Sequence, residues 1–518
     1  MSVVMGPVLA FRGLRGTSWD ISVLVVVDDD GAMPLEWGTD AGRAHRTTTE
    51  AVLLHEVDRF RVLRFDLSVT LRAAAQQVTY AVGGIEERFT VPRDGQPPDC
   101  AYTSCNGFSN PRDMKKVADK NERWKHLAGK QAESPMHLLL MGGDQVYSDS
   151  IWETVPAFKK WSGSNARKRR AAAFTPEMQA AADAFYFNLY VDRWRQPEPR
   201  QALARIPTVM MWDDHDIFDG WGSYPPEDQA SAVYQGIFEV ARKYFRIFQL
   251  QLAPGESHPF TLPGHTAFSY CYQFGSVALA VLDMRSDRSQ SQVLSETSWT
   301  PFYDWLDGLK GCTHLLLMSS IPVVHPDFGA MERILGIFPG QQELEDDLKD
   351  HWLSRTHKTE RLRLIHRLLN YARERACRVT ILSGDVHVGA IGVIESTRTN
   401  DAPENSQVIN QLTSSGIVHP SPPGMMLHFL ESLGDNVLEV DRGITTRMLA
   451  FPGTRNRFIG TRNWLELQHD DQDRIWACWH VPTEDPQTAK KTPAPLAPGE
   501  KPYTKVIHPC AKAAAGPA

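Results

Sequence analysis

The chain has 518 residues, more than one ordinary domain needs, so we expect a large core with at least one smaller module. Hydrophobic residues make up 42% and charged residues 23% of the sequence, as in an ordinary globular protein. The net charge of -7 gives no broad basic surface, which argues against nucleic acid as the main partner and requires any phosphate site to be made attractive locally by metal ions or arginines.

Cysteine usage and the N-terminal residues bear on the compartment. The seven cysteines form no CxxC pair, and an odd number leaves at least one thiol unpaired, so a reducing compartment is the simpler interpretation. Arg12 and Arg15 interrupt the apolar residues near the start, and no segment reaches about 18 consecutive apolar residues. We therefore predict a cytoplasmic protein without an export signal or a membrane span.

The first 95 residues predict a small all-β sandwich domain. Apolar residues recur with a period near two at residues 21–27, 60–67 and 78–82, and turn formers separate these runs. The pattern changes after residues 92–98. We therefore predict a domain boundary near residue 95.

Beyond Cys100, short apolar runs alternate with amphipathic helical stretches. Strands are predicted at residues 136–141, 206–212, 277–282, 314–318 and 378–382, and helices near residues 176–194, 230–249, 301–309 and 359–376. Strands that are apolar throughout indicate sheets covered on both faces by helices. We therefore predict an α/β domain at residues 96–482, followed by a loosely held tail at residues 483–518 that is rich in Pro, Lys and Ala.

Acidic and histidine side chains follow four of these predicted strands. The segments are Gly142-Gly-Asp-Gln-Val-Tyr147, Asp213-Asp-His-Asp216 with Asp219 beyond it, Asp283-Met-Arg-Ser-Asp-Arg288, and Ser383-Gly-Asp-Val-His387. Ligands of open α/β sheets collect at the carboxyl ends of the strands, so we expect these side chains to converge.

The side chains available in these segments favour a metal site. Carboxylates suit hard cations, imidazole suits borderline metals, and phenolate or thiolate is typical of a more strongly Lewis-acidic site such as ferric iron. Two or more coordination spheres could be filled by Asp144, Tyr147, Asp214, His215, Asp219, Asp385 and His387. Two adjacent cations would clamp a phosphoryl group and activate water for in-line attack, which predicts hydrolysis of a phosphoester.

Each acidic segment also has a simpler interpretation. A Gly-Asp pair after a strand is commonly a turn, so Asp144 alone is a weak indication. The four ionisable groups at residues 213–216 repel one another unless a cation or an ion pair offsets them. Asp385 and His387 are two positions apart and point the same way on an extended chain, where they can share a ligand. The segments together favour the metal site.

Other candidate residues leave alternatives open. Arg285 could hold phosphate oxygens with its planar fork or form a salt bridge with a nearby acid, and Arg288 is the weaker candidate. For Cys105, the commoner role of such a cysteine is that of a small apolar side chain that fills space at the end of a strand. A position at the edge of the pocket and a purely structural role are both open for residues 412–417, His325 and His419.

Five segments in this order resemble those of the PhoD-like alkaline phosphatases, within the calcineurin-like metallophosphoesterases. They are Ser104-Cys105, Gly143-Asp-Gln-Val-Tyr147, Trp212-Asp-Asp-His215, Leu282-Asp-Met-Arg285 and Ser383-Gly-Asp-Val-His387. The match covers about residues 100–415, and the β-rich segment before it is similar in kind to the N-terminal domain of that family. The resemblance implies a four-layer α/β/β/α metallophosphoesterase sandwich that hydrolyses phosphomonoesters and phosphodiesters.

The resemblance also implies a set of metal ligands. Family members are known for a ferric ion held partly by cysteine and tyrosine, beside calcium. By that analogy Cys105, Tyr147 and His387 would ligate Fe3+. Asp144 and Asp385 would bridge or share the ions, and Zn2+ or Mn2+ are the alternative metals.

For the reaction itself, the resemblance implies that His215 lies near the phosphate as a general acid or leaving-group stabiliser and that Arg285 grips the substrate. The chain departs from the family where it reads Asp216-Ile-Phe-Asp-Gly220, because the family often supplies an asparagine there as a calcium ligand; Asp219 would replace it. Secreted members also carry a twin-arginine signal that is not visible here.

Two other functions stay open. A cysteine-nucleophile hydrolase would use Cys105 with a nearby histidine and would respond to thiol alkylation but not to chelators. A catalytically silent protein would bind metal and contact a partner through its β-rich module. We expect a small phosphoester as the substrate, selected by loops at residues 161–174, 220–231 and 323–340.

Overall fold

In a computed structural model of the protein, the described residues are 2–28, 31, 33–40, 46–110, 114, 115, 117–263, 267–326, 355–398, 407–482 and 503–510. The chain divides into two compact units. Unit 1 comprises Met1–Ala101, Gly107–Asp219 and Pro226–Thr261, and unit 2 comprises Tyr102–Asn106, Gly220–Pro225 and Leu262–Ala518. Within the described part of the chain, no helix combines the length and the apolar character that crossing a membrane requires.

Unit 1 contains two sheets. Its strands are β1 (Val3–Arg15), β2 (Ser18–Val27), β3 (Leu35–Thr39), β4 (Thr47–Thr49), β5 (Val52–Val57), β6 (Phe60–Thr70), β7 (Gln76–Val82), β8 (Ile85–Val91), β9 (Cys100–Thr103), which runs on into unit 2, β10 (Leu138–Gly142) and β11 (Thr208–Met211). The larger sheet has the order β10-β11-β1-β2-β6-β5, with β10, β11 and β1 parallel and the others antiparallel. The smaller sheet has the order β4-β3-β7-β8.

The strands predicted within the first 95 residues are present, but they are shared between these two sheets. β1 pairs with β11, with Ala10 opposite Thr208, so the N-terminal strand belongs to the same sheet as a strand from the predicted α/β domain. Most of β1 is buried, as expected of a strand with neighbours on both edges and both faces. The two compact units therefore do not separate residues 1–95 from the rest of the chain, and the other domain limits stay predictions.

Unit 1 contains eight described helices, of which two lie close to predicted positions. They are α1 (Glu122–Glu133), α2 (Ile151–Thr154), α3 (Pro156–Ser162), α4 (Ala166–Ala171), α5 (Pro176–Trp194), α6 (Pro197–Leu203), α7 (Pro226–Gln229) and α8 (Ala232–Tyr244). The helix predicted at residues 176–194 is confirmed. It begins at Pro176 because proline suits the first turn and because the Thr175 hydroxyl caps the helix, accepting a hydrogen bond from Met178 N at 3.2 Å.

The prediction of a loop at residues 161–174 is wrong for part of that segment. Its start lies in α3 and its middle forms α4, which the side chain of Asn165 caps by accepting a hydrogen bond from Lys168 N at 3.0 Å. The segment at residues 220–231 likewise contains the short helix α7. Local capping therefore made helices where the composition indicated a loop.

Helix α8 continues directly into a turn of π-helix at Phe245–Gln249, where Leu250 N donates to Phe245 O at 3.1 Å. Val233, Ile237 and Ala241 lie on the buried face of α8 at a spacing of four. The helix predicted near residues 230–249 is confirmed. No sequence pattern indicated the π-turn. Such turns are rare in proteins, and those that occur often lie at functional sites.

Unit 2 is built on a second mixed sheet. Its strands are β12 (Tyr270–Phe274), β13 (Val277–Val281), β14 (His314–Ser319), β15 (Arg378–Ser383), β16 (Gly389–Ser396), β17 (Val408–Thr413), β18 (Leu438–Asp441), β19 (Ile444–Leu449), β20 (Phe458–Ile459), β21 (Trp464–His469), β22 (Ile475–His480) and β23 (Tyr503–Ile507). The main order is β12-β13-β14-β15-β17-β16-β19-β18, with β13, β14, β15 and β17 parallel, and β20 pairs with β16. The helices are α9 (Glu296–Gly308), α10 (Arg355–Arg375) and α11 (Gly424–Gly434).

The apolar core of unit 2 is formed in part by alternate residues of its strands. Leu315 and Leu317 of β14 and Val379 and Ile381 of β15 alternate with residues on the other face and belong to one apolar cluster. Trp299 of α9 and residues of α10 complete the cluster. The mixed α/β fold with several sheets, predicted from alternating strands and helices, is therefore confirmed.

Part of the predicted C-terminal tail is ordered structure. β23 pairs antiparallel with β22, with Tyr503 opposite Trp479, and Ile507 is buried. The prediction of a loosely held tail is wrong for these residues, because backbone pairing with β22 and the buried side chain of Ile507 hold a strand within a Pro- and Lys-rich composition. Residues 483–502 and 511–518 lie outside the described residues, as do residues 327–340 of the predicted substrate loop.

Candidate metal centre

Two parallel strands of unit 1 end in acidic segments. β10 ends at Gly142, ahead of Asp144, and β11 ends at Met211, ahead of a turn of 3-10 helix at Asp214–Asp216. Gly142 lies opposite Met211 in the parallel register. The carboxyl ends of neighbouring parallel strands thus bring together two of the segments that the sequence singled out.

The result is a group of buried carboxylates beside an imidazole. One ligand atom each from Asp144, Asp214 and His215 lies within 4.8 Å of the others, and Asp213 lies equally close to the two aspartates. Burial raises the pKa of Asp144 well above its usual value; the charge of His215 lowers this pKa, whereas Asp213 and Asp214 raise it. Such a concentration of carboxylates away from water is relieved by protonation or by positive charge among them, and a metal ion would supply the latter.

Asp216 fixes the two acidic segments in place. Its Oδ1 accepts hydrogen bonds from Gln145 N at 3.1 Å and Val146 N at 3.2 Å, and its Oδ2 accepts one from Asp213 N at 2.9 Å. The Gln249 side chain, in the π-turn, donates to Oδ1 at 2.9 Å. Burial raises the pKa of Asp216 to about 7, against the opposite effect of the backbone hydrogen bonds. Asp216 therefore acts as a structural anchor.

His215 is held on two sides. Its ring stacks on Tyr147 with centroids 4.3 Å apart, and its Nδ1 lies 2.8 Å from Asp149 Oδ2. Asp149 Oδ1 also accepts from Asp219 N at 2.8 Å. Burial lowers the pKa of His215, but Asp149, Asp214 and other carboxylates raise it by more, so the pKa stands well above its usual value. The ring is thus fixed in one orientation with its Nδ1 side taken.

Sequence reasoning missed Asp149. The residue lies two positions beyond Tyr147, in the same segment as Asp144, yet Tyr147-Ser-Asp-Ser150 resembles an ordinary polar turn. A carboxylate close in sequence to one predicted ligand was the available signal, but its histidine partner is 66 positions away. Only the fold brings the two together.

A glycine makes room for Tyr147. A Cβ atom added to Gly107 would lie 2.3 Å from Tyr147 Cδ2, closer than real Cβ atoms come. Tyr147 itself is 7% exposed. The glycine after Cys105 therefore permits the ring of Tyr147 to lie against the chain while it stacks on His215.

A second group of predicted residues lies within unit 2, around Cys105. The Cys105 thiol lies 3.0 Å from Ser415 Oγ and 3.9 Å from Asp385 O. Ser415 Oγ accepts from His387 N at 2.9 Å, and His419 N donates to Cys105 O at 3.2 Å. The rings of His387 and His419 stack with centroids 3.6 Å apart. Cys105 is therefore surrounded by polar groups, which the filler interpretation does not explain.

Unusual backbone geometry coincides with the predicted ligands of both units. Cys105, Asp144, Asp385 and His387 have φ angles of 56°, 55°, 68° and 54°. Across the described ranges, these four are among eight non-glycine residues with positive φ. The left-handed region costs such residues about 1–2 kcal/mol each, and strained conformations of this kind cluster at functional sites.

Arg285 is fully buried in unit 2. Its Nη1 donates to Trp221 O at 3.0 Å, and Trp221 Nε1 donates to Arg285 O at 3.2 Å. Asp283 Oδ1 accepts from the backbone N–H groups of Arg285 and Ser286, both at 3.0 Å. The side chain of Arg288 passes Gly222, where a Cβ would lie 2.5 Å from Arg288 Cγ. Both guanidinium groups are thus positioned by the segment around Trp221.

The predicted site residues are therefore distributed over two groups. Unit 1 contains Asp144, Tyr147, Asp214, His215 and Asp219, and unit 2 contains Cys105, Asp385, His387 and Arg285. His419 belongs to the second group, whereas His325 Nδ1 bonds locally with Pro326 O at 2.8 Å. Ser415, which the sequence indicated only as part of residues 412–417, connects Cys105 with His387.

A family model and one curated relative match most of this chain. The family model described as PhoD related phosphatase matches residues 78–338 and 327–446, together more than half of the chain. An uncharacterized protein of Saccharomyces cerevisiae, YGR266W, is 27% identical over 571 residues, which cover 90% of this chain and 81% of the yeast protein.

Two solved structures are distant from this chain. Amylomaltase from Corynebacterium glutamicum is 10% identical, with a TM-score of 0.13 and coverage of 60% of this chain and 55% of that one. A cyclomaltodextrinase is also 10% identical, with a TM-score of 0.14 and coverage of 73% and 60%. Such low scores carry no argument, so the family match decides: the chain belongs to the PhoD related phosphatases.

Proposed function

We propose that this protein hydrolyses small phosphoesters at a metal centre. The observation that carries the proposal is the group formed by Asp144, Asp213, Asp214 and His215, whose carboxylates crowd together in the interior of unit 1. A cation offsets such a concentration of negative charge and is what phosphoester hydrolysis uses. Membership in the PhoD related phosphatases supports both phosphoester hydrolysis and metal dependence.

The donor atoms suit two kinds of metal ion. Asp144, Asp214 and Asp219 offer the carboxylate oxygens that calcium prefers. The thiol, phenol and imidazole of the remaining ligands suit a more strongly Lewis-acidic ion such as Fe3+, with Zn2+ or Mn2+ as alternatives. We assign to this second set Cys105, Tyr147, Asp385 and His387. When bound, the ions polarise the phosphoryl oxygens and activate water.

His215 and Arg285 carry the steps that belong to the chain itself. Asp149 holds Nδ1 of His215, which leaves Nε2 to give a proton to the leaving oxygen. Arg285 presents a planar fork that can hold two phosphate oxygens. Water forms the new bond to phosphorus and loses a proton to solvent, while the bond to the leaving oxygen breaks and that oxygen takes the proton of His215, which solvent later replaces. No covalent phosphoenzyme is required.

The proposal includes the finer features that the family resemblance implies. These are a four-layer α/β/β/α arrangement with a small β-rich module before it, and activity on phosphomonoesters, phosphodiesters or both. A cytoplasmic location and a small-molecule substrate, rather than nucleic acid or a membrane, stay predictions.

The test is hydrolysis of an aryl phosphate and of a bis-aryl phosphodiester by the purified full-length protein. We expect turnover that a chelator abolishes and that added metal restores, with bound metal measured by elemental analysis. Asp144→Asn and Asp385→Asn should each reduce kcat/KM by at least about 1000-fold, roughly 4 kcal/mol. The exposed Asp192→Asn is the matched control.

Three outcomes contradict the proposal. Full activity of either variant at normal metal content would remove the assigned ligands. Activity that resists chelators but is lost on thiol alkylation would favour Cys105 as a nucleophile. Metal that raises the melting temperature without turnover of either substrate would favour a silent metal-binding protein.

A further inference from the structure

A cavity of about 470 Å³ lies in unit 1 beside the π-turn. Its lining includes three basic residues, Arg242, Lys243 and Arg246, from the end of α8 and the start of the π-turn. Its apolar lining residues, which we call the apolar wall, are Leu54, Ile247, Leu252, Ala253 and Pro254. The cavity therefore combines basic and apolar side chains.

The acids around the cavity are already engaged with cations. Glu239, the acidic residue of the lining, lies 3.5 Å from Arg242, and Asp183 lies 2.6 Å from Lys243. Arg246 Nη2 donates to the backbone oxygen of Glu256 at 2.7 Å. The side chain of Glu256 is itself bound by two further arginines, Arg12 at 3.1 Å and Arg64 at 2.6 Å.

Burial and neighbouring charges shift the pKa values of two residues that line the cavity. Burial lowers the pKa of Arg246, and the charge of Arg242 lowers it further, against the opposite effect of Glu256. Burial also lowers the pKa of His55 to about 4, with Lys243 acting in the same direction. Nε2 of His55, which lines the cavity, is buried and has no hydrogen-bond partner among the described residues. The described lining thus contains three basic side chains and one acidic side chain, together with the buried Nε2 of His55.

We propose that this cavity binds a small organic phosphate, with the phosphate on Arg242, Lys243 and Arg246 and the apolar part against Leu252, Ala253 and Pro254. Arg242 and Arg246 are four positions apart on adjoining turns, where like charges repel each other, and a phosphate bound by both would offset that repulsion. Guanidinium groups bind phosphate oxygens in pairs, which favours phosphate over a single carboxylate. His55 Nε2 supplies a further hydrogen bond to the ligand.

The cavity is connected to the metal-ligand segments of unit 1 by short covalent and hydrogen-bonded steps. Arg246 and Ile247 belong to the same π-turn as Gln249, whose side chain binds Asp216 Oδ1. Asp216 fixes the segments of Asp213 and Gln145. A ligand in the cavity would therefore contact the same π-turn that holds Asp216 through Gln249. Any consequence of this contact for activity rests on the proposed function, whereas binding does not.

Isothermal titration calorimetry of the full-length protein with phenylphosphonate tests the site, since a phosphonate is not hydrolysed. The titration is run with and without a chelator, because binding at the metal ions depends on them and binding in the cavity does not. We expect binding that persists in chelator, weakens at least about tenfold in Arg242→Gln/Arg246→Gln, and is unchanged in the exposed Arg88→Gln. Inorganic phosphate, which lacks the apolar part, should bind more weakly.

A second variant tests the apolar wall without touching the charges. Ala253→Phe fills part of the cavity and should abolish binding while thermal unfolding of the free protein shows that the fold is kept. Absence of binding in chelator, or binding that neither variant alters, overturns the proposal. Inorganic phosphate binding as tightly as phenylphosphonate overturns the assignment of an organic ligand. A protein without hydrolytic activity that still binds phenylphosphonate in chelator would contradict the proposed function alone.

Discussion

The two groups of candidate residues differ in their chemistry. The unit 1 group consists of carboxylates with one imidazole, and its geometry depends on hydrogen bonds to Asp216 and Asp149. The unit 2 group consists of Cys105, Ser415 and the stacked His387 and His419. The first offers hard oxygen donors and the second softer sulfur and nitrogen donors, so the two are suited to different metal ions.

Each unit keeps its donors in place in its own way. In unit 1, buried carboxylates hold the donors: Asp216 accepts hydrogen bonds from backbone N–H groups, and Asp149 orients the ring of His215. In unit 2, a hydroxyl connects the thiol to a backbone N–H, and aromatic stacking orients the imidazoles. Both groups include residues with positive φ, so the backbone is strained in each of them.

Apart from loss of the metal ligands Asp144 and Asp385, the largest expected effect comes from the histidine of unit 1. His215→Ala should lower kcat about 1000-fold, within the range of roughly 100- to 10,000-fold that general acid catalysis contributes. Steady-state kinetics with an aryl phosphate and metal analysis of the same samples check this. The exposed His428→Ala is the control. Loss of metal in proportion to activity would instead make His215 a ligand.

Part of the elements of both units was readable from the sequence, because the period of apolar residues indicates a strand or a helix where one face is buried. β14 and α5 follow their predicted limits closely. The partner of a strand is not encoded in its period, so the pairing of β1 with β11 could not be foreseen. β23 was missed because it is a short strand within a Pro- and Lys-rich segment.

The sequence likewise indicated part of the candidate site. Asp144 and the 213–216 segment were found because strand ends collect ligands, and the structure brings them together. Asp149 and Ser415 were not identified, since a serine or an aspartate in a turn has no distinguishing neighbours along the chain. Their roles depend on partners 66 and 310 positions away.

The next effect tests the softer donors of unit 2. Cys105→Ser should weaken binding of the iron-type ion at least about tenfold, because a hydroxyl is a poorer ligand than a thiolate for such ions. Metal content after dialysis against a weak chelator measures this. Cys100→Ser is the matched control, since Cys100 is also buried and bonds only weakly, to Pro98 O at 3.3 Å. Unchanged metal content with lost activity would point to Cys105 as a nucleophile.

A smaller effect is expected from the residue that positions His215. Asp149→Asn keeps the shape of the side chain but removes the charge that faces His215 Nδ1 at 2.8 Å. We expect kcat to fall about tenfold with KM and metal content unchanged, as when an interaction made only in the transition state is weakened. Asp94→Asn, an exposed residue of the same unit, should have no effect. A parallel rise in KM would mean that Asp149 contacts the substrate.

The smallest effect concerns the space beside Tyr147 and is measured by thermal unfolding. Gly107→Ala places a Cβ 2.3 Å from the Tyr147 ring, which has to tilt away from His215, at a cost of about 1 kcal/mol. Gly129→Ala has the opposite sign, because Gly129 lies inside α1 with no atom within 4 Å of the added Cβ, and alanine favours a helix by up to about 1 kcal/mol. The apparent melting temperature should therefore fall in the first variant and rise in the second. A fall in both would mean that the chain is sensitive to any added methyl group, whereas a fall in Gly107→Ala alone assigns the cost to the contact between Tyr147 and its neighbouring backbone.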